Sequence, residues 1–136
     1  MRPGDLEALP SPVRRPLKPT VLVVEHEAIV RMDLATELQD HGFDVLEAAS
    51  ADAALALFRS CPDLHAAVVD VGLRGEATGY DLVRAMRKDR PGCTVIIASG
   101  RTLGMPGDFD QPVLVEPKPY DPEKIAFVLK DRCRGG

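Results

Sequence analysis

Three short apolar runs set the terms for this chain. Val21-Leu22-Val23-Val24 ends at Glu25, Ala66-Ala67-Val68-Val69 ends at Asp70, and Val95-Ile96-Ile97-Ala98 ends at Ser99. Each run is continuous rather than alternating, and each is too short for a buried helix, so each reads as a strand covered on both faces. Strands of that kind belong to parallel sheets with helices on both sides, where ligands and chemistry gather at the carboxyl ends of the strands. Glu25, Asp70 and Ser99 all stand at that end. An Asp after a strand is also an ordinary turn former or helix cap, so Asp70 by itself does not define a site.

The segments between the runs have helical character. Val30, Leu34 and Leu38 recur at i+4 after Glu25-His26-Glu27, with Arg31, Asp33, Glu37 and Asp40 on the other side, and Gly42 closes the helix. Phe43, Val45 and Ala48 predict a short strand. Ser50 and Asp52 suit the start of the next helix, whose stripe is Ala54, Leu55 and Phe58 before Cys61-Pro62 stops it. Thr78 and Asp81 form a variant capping box for a helix with Leu82, Val83 and Met86 inward, ended by Pro91-Gly92. Gly104, Pro106 and Gly107 predict a loop or one ragged turn over 101–111. A last strand is expected over Pro112 to Val115, then Glu116-Pro117-Lys118-Pro119, and a helix opened by Asp121-Pro122 with Ile125, Val128 and Leu129 inward.

Alternation of five strands with helices predicts a three-layer α/β fold. In the flavodoxin-like, doubly wound order 2-1-3-4-5 the switch point falls between the first and third strands. Glu25 and Asp70 end those two strands and would face each other across one crevice, with Ser99 and Lys118 arriving from strands four and five. Two adjacent carboxylates need a positive partner; a hard divalent cation such as Mg2+ answers that need, and Lys118 adds a second positive charge. Carboxylate nucleophile, cation, ammonium and hydroxyl are the parts of phosphoryl transfer, with an acyl phosphate on Asp70 as product.

Composition narrows the alternatives. The chain of 136 residues is 45% hydrophobic and 28% charged with formal net charge −4, enough for one core and without general attraction to nucleic acid or an anionic membrane. Cys61, Cys93 and Cys133 are far apart, which predicts reduced thiols and, with no apolar leader or membrane-length run, a cytoplasmic protein. The prolines of residues 1–19 predict a flexible tail; the folded domain is expected over 20–131, with 132–136 as a C-terminal end.

From Val21 to Leu129 the chain resembles the receiver domain of bacterial two-component response regulators, on Val-Val-Glu at 23–25, Val-Val-Asp at 68–70, Ser99-Gly100 and Lys118-Pro119-Tyr120. The resemblance implies that Asp70 is the phosphoacceptor for a histidine kinase or histidine phosphotransfer protein, that Ser99 follows the phosphoryl group and that Lys118 pairs with it. It further implies that Glu25, Asp70 and the backbone carbonyl of Gly72 hold Mg2+, that a downstream protein partner reads the state of a monomer or weak homodimer, and that no external substrate is turned over. The fifth strand and last helix are the contact face by the same resemblance.

Three positions depart from the family pattern. His26 stands where a second carboxylate is usual; imidazole suits Mn2+ or Zn2+ better than Mg2+, and the roles open to it are metal ligand, counter-charge to Asp70, or a solvent-facing side chain, with Glu27 as a substitute ligand. Val115 stands at the position of an aromatic switch. The fourth helix is expected to be short or absent over 101–111, which resembles a subgroup of stand-alone receivers. The rival readings are a pseudo-receiver, an interaction module independent of phosphorylation, and a flavin-binding electron carrier, against which Glu25-His26-Glu27 would repel a phosphate.

Overall fold

The computed structural model describes residues 18–71, 78–99 and 113–135. In chain order these form β1 (Thr20–Val24), α1 (Ala28–Asp40), β2 (Asp44–Ala48), α2 (Ala51–Ser60), β3 (Leu64–Asp70), α3 (Gly79–Asp89), β4 (Thr94–Ser99), β5 (Val113–Pro117) and α4 (Pro122–Gly135). All strand pairs are parallel, in the order β2-β1-β3-β4-β5. This is the flavodoxin-like topology expected from the sequence. The expectations for Gly72 and for residues 101–111, that for the tail up to residue 17, and those for the side chains of Ser99 and Val115 lie outside the described residues.

The period of two along a strand divides the apolar residues between two cores. Val21, Val23, Ala66, Val68 and Ile96 pack beneath Leu34 and Leu38 of α1 and Ile125 and Leu129 of α4. Their neighbours Leu22, Val24, Ala67, Val69 and Ile97 face Ala54 and Phe58 of α2 and Val83 and Met86 of α3. Because both faces are covered, β1 and β3 have no polar face, which is why their runs are continuous. Complete burial of one Leu or Val contributes roughly 1.5–3 kcal/mol, so the central strands anchor the domain.

Local chemistry fixes the ends of the helices. Gly42, at φ +93, follows the C-cap His41 of α1 in a conformation that a Cβ would disfavour. Ser50 Oγ accepts a hydrogen bond from the Ala53 amide at 3.1 Å. Thr78 and Asp81 form a complete capping box: Thr78 Oγ1 accepts from the Asp81 amide at 3.1 Å, and Asp81 Oδ2 accepts from the Thr78 amide at 3.0 Å. The Thr78 amide first, and then the Thr78 hydroxyl, which also donates to Asp81 Oδ2 at 3.0 Å, hold the Asp81 carboxyl below its ordinary range.

Two details differ from the sequence reading. On α1 the buried stripe is Leu34, Ala35 and Leu38, while Val30 is only half-buried and Ile29 and Met32 are exposed. β5 runs two residues further than Val115, because Glu116 and Pro117 continue the register opposite Ala98 and Ser99. The edge position of β5 tolerates the proline, and the extension sets Lys118 one residue beyond the strand end. No helix among the described residues is long and apolar enough to cross a membrane.

Candidate functional site

Adjacent strand ends build the site. The backbone of Glu25 is held to β2 by its amide, which donates to the Ala48 carbonyl at 3.0 Å, and the Val71 amide just after Asp70 donates to the Ala98 carbonyl at 3.1 Å. With both acids fixed to the sheet, their side chains sit in the crevice between β1 and β3. Glu25 is 1% and Asp70 2% exposed; they are the buried charged residues of the described chain.

Two cationic or cation-capable groups meet this pair. Lys118 Nζ lies 3.0 Å from Glu25 Oε1 and 3.5 Å from Asp70 Oδ2. His26 Nδ1 lies 3.0 Å from Asp70 Oδ2 and 3.4 Å from Glu25 Oε2. The carboxylate of Glu25 is thus divided, one oxygen toward Lys118 and the other toward His26 and the Glu27 amide, which donates to it at 3.2 Å. Asp70 Oδ2 stands between the lysine and the imidazole.

The electrostatics follow from burial. Burial raises the Glu25 carboxyl above its ordinary value, Lys118 opposes that shift and the nearby Asp70 reinforces it. Burial on its own would lower the Lys118 ammonium, but hydrogen bonding to Glu25 and the charges of Asp70 and Glu25 outweigh it, and its pKa is raised. Tyr120, two residues on, is raised by burial first and then by Glu25 and Asp70. The Lys118–Pro119 peptide is cis.

Glu25, His26 and Asp70 each offer a ligand atom, and the three atoms lie within 4.8 Å of one another. Two buried oxygens and one imidazole nitrogen fit a divalent cation, though not the all-oxygen surroundings that Mg2+ prefers. His26 is therefore not merely solvent-facing: its ring is 45% exposed but Nδ1 faces the acids. Glu27 is exposed and stands at the N-cap of α1, its side chain outside this cluster. Ser99 ends β4 opposite Pro117, next to the Ala98 that pairs with Asp70.

Sequence reasoning missed two supporting residues. Arg31, which the helical period places on the outer side of α1, reaches back so that Nη1 donates to the Glu25 carbonyl at 3.0 Å, while Nε donates to Glu47 Oε1 at 3.2 Å. Gly79, the first residue of α3, lies so close to the strand end that a Cβ there would stand 2.6 Å from the Asp70 carbonyl oxygen and from Val71 Cα. A glycine opening a helix with good caps was the available signal for the second; nothing in the sequence signals the first.

With this geometry in hand, comparison with known proteins is direct. Residues 21–104 match the response regulator receiver domain family. A putative NtrX-like response regulator of Rickettsia felis is 31% identical over 122 residues, covering 83% of this chain and 24% of that protein. The sensor kinase CckA of Brucella abortus is 33% identical over 117 residues, covering 82% of this chain and 12% of that protein. The crystal structure of the receiver domain from hybrid histidine kinase CckA superposes with a TM-score of 0.71 at 28% identity, covering 83% of this chain and 97% of that one. The chain belongs to the receiver domain family of two-component response regulators. It spans about a quarter or less of the length of these curated relatives.

Proposed function

We propose that Asp70 accepts a phosphoryl group from a phosphohistidine of a histidine kinase or histidine phosphotransfer protein, and that a downstream protein partner reads the phosphorylated state. The observation that carries this reading is the convergence of a fully buried Asp70 with Glu25 and Lys118 at the carboxyl end of the sheet. An Asp70 oxygen attacks phosphorus, the P–N bond breaks as the P–O bond forms, and the donor imidazole leaves. Lys118 is already within 3.5 Å of Asp70 Oδ2, so a small movement from Glu25 brings its ammonium onto a phosphoryl oxygen. Ser99, at the end of β4, is the hydroxyl assigned to another. Glu25 and Asp70, with the Gly72 carbonyl that the resemblance implies, would hold a divalent cation, which would further neutralise the phosphoryl oxygens. The chemistry is confined to the chain's own phosphorylation and hydrolysis.

A donor protein must reach Asp70 over the rim of the crevice. Ile29, 84% exposed on α1, borders a cleft of about 460 Å³ there with Val30, Lys118, Pro119 and Tyr120, and Met32 further along the helix is 58% exposed. Exposed apolar side chains beside a reactive group suit a protein partner. A reducing compartment such as the cytoplasm suits the free thiols of Cys61 and Cys93.

One observation favours the pseudo-receiver instead: His26 Nδ1 is 3.0 Å from Asp70 Oδ2, where it supplies the partner that a cation would otherwise provide. Incubation with a small-molecule phosphodonor and each of several divalent cations, followed by intact-mass measurement, separates the two. We expect one added phosphoryl group in the wild-type chain and none in Asp70→Asn. Absence of the adduct with every cation tried establishes the pseudo-receiver.

A further inference from the structure

We infer that His26 makes the Glu25–His26–Asp70 cluster selective for a divalent transition metal that accepts imidazole nitrogen, Mn2+ or Zn2+, over Mg2+. The inference rests on the reading above only in taking this crevice as a cation site.

The backbone of Glu25 and of the residue after Asp70 is bonded to the sheet, and both carboxylates are buried in the crevice. Lys118 takes Glu25 Oε1, which leaves Oε2 on the side of His26. The imidazole presents Nδ1 to both acids, 3.0 Å from Asp70 Oδ2 and 3.4 Å from Glu25 Oε2. For metal–ligand bonds of about 2.1 Å, neighbouring donors lie about 3.0 Å apart around an octahedral ion and about 3.4 Å apart around a tetrahedral one. Both separations from Nδ1 thus lie in the range that ligands of one ion adopt, and all three donor atoms lie within 4.8 Å of one another.

Donor chemistry then decides which ion. Mg2+ demands near-octahedral oxygen surroundings and gives up its waters reluctantly, so a nitrogen occupying one position of its shell weakens its binding. Imidazole suits the later first-row ions, whose affinity for nitrogen sites rises along the series. No other acid in the described chain compensates: Glu27 lies outside the converging group. His26 acts as a specificity-determining ligand, and it discriminates against Mg2+ more than it favours binding overall.

The test is calorimetric titration of Mg2+, Mn2+ and Zn2+ into the full chain, the variants His26→Asp and His26→Asn, and Asp70→Asn. We expect the wild-type chain to bind Mn2+ and Zn2+ more tightly than Mg2+, and the ratio of affinities to fall by about tenfold or more in His26→Asp, since even changes behind a ligand alter metal affinity by roughly 10–100-fold. His26→Asn, which keeps the size without imidazole, should lower Mn2+ and Zn2+ affinity. Mn2+ should also broaden the His26 ring signals in an NMR spectrum before those of His41 or His65. An unchanged ratio in His26→Asp, ring signals of His26 that Mn2+ leaves sharp, or a wild-type chain that binds none of the three ions overturns the inference. Phosphodonor labelling is scored separately. A ratio that shifts without any labelling removes the phosphoacceptor reading alone; labelling with Mg2+ at an unchanged ratio removes this inference alone.

Discussion

The two ends of the sheet treat charge in opposite ways. At the amino ends of the strands, arginines meet carbonyl oxygens at and just beyond the helix C-termini. Arg90 Nη1 donates to the Cys61 carbonyl at 2.6 Å and Nη2 to the Phe58 carbonyl, with the guanidinium 3.8 Å above the Phe58 ring. Arg87 Nη1 donates to the Pro91 and Cys93 carbonyls. The Phe58 and Cys61 carbonyls also accept from the Cys61 and Leu64 amides, so Arg90 adds a second donor to each, and Arg87 ties down the turn that follows α3. At the carboxyl ends, two buried carboxylates face each other, and their pairing with Lys118 and His26 does not cancel the penalty of burial: Glu25 remains raised. The lower end closes the fold; the upper end keeps charge in a place where it opposes folding, as sites poised for chemistry do.

That contrast can be broken by mutation. The largest stability effect should come from the lower end: Arg90→Ala removes charge-assisted bonds to two carbonyls and the stacking on Phe58, and should cost about 2–4 kcal/mol in urea unfolding while phosphodonor labelling of the folded fraction is kept. A loss confined to labelling would reverse the roles assigned to the two ends. Gly79→Ala should come next, at about 1–3 kcal/mol for overpacking, and unlike Arg90→Ala it should also slow labelling, because the intruding methyl displaces the Asp70 carbonyl. Thr78→Ala is its control: loss of the cap should cost about 1 kcal/mol with the labelling rate unchanged. Equal labelling by the two variants would show that α3 does not position Asp70.

At the upper end the sign itself is the prediction. Because Glu25 is raised in the folded protein, the native state holds its proton more tightly than the unfolded chain, and stability falls as pH rises through that raised value. Glu25→Gln lacks this loss. Without added metal, thermal unfolding at neutral pH should find the variant at least as stable as wild type, with the gap closing as pH falls through the carboxylate range. A variant less stable at every pH would mean that the Glu25–Lys118 pair is a net support of the fold. The smallest effect lies at alkaline pH. Lys118 and Tyr120 are both raised from ordinary values of 10.5 and 10.0, so the stability they contribute is present below about pH 10 and lost as pH rises through their higher values. Tyr120→Phe should therefore lose less stability than wild type between pH 9 and 11.

Much of the molecule was legible in its sequence for a plain reason. Val21–Val24 and Ala66–Val69 carry a signal that depends on which residues can be buried on both faces, and this does not require knowing what covers them. Ser50, Thr78, Asp81 and Gly42 act on backbone groups within three residues, so their spacing is their geometry. Glu25, Asp70 and Lys118 were found together because strand order 2-1-3-4-5 sets the first and third strand ends side by side and the fifth at the same end of the sheet, whatever the intervening loops contain. The last two residues of β5 were not legible, since Pro117 reads as a breaker until the edge position of the strand is known.

The sequence by itself determined the alternation of elements, the two-sided core and the identity of the acids, all properties of local pattern. Only the tertiary structure decided how those acids are paired. The division of Glu25 between Lys118 and His26, the inward Nδ1 of His26, the reach of Arg31 and the close approach of Gly79 to Asp70 depend on distances between segments separated by up to 93 positions in the chain. Such distances are fixed by packing against the sheet and leave no periodic mark on the sequence.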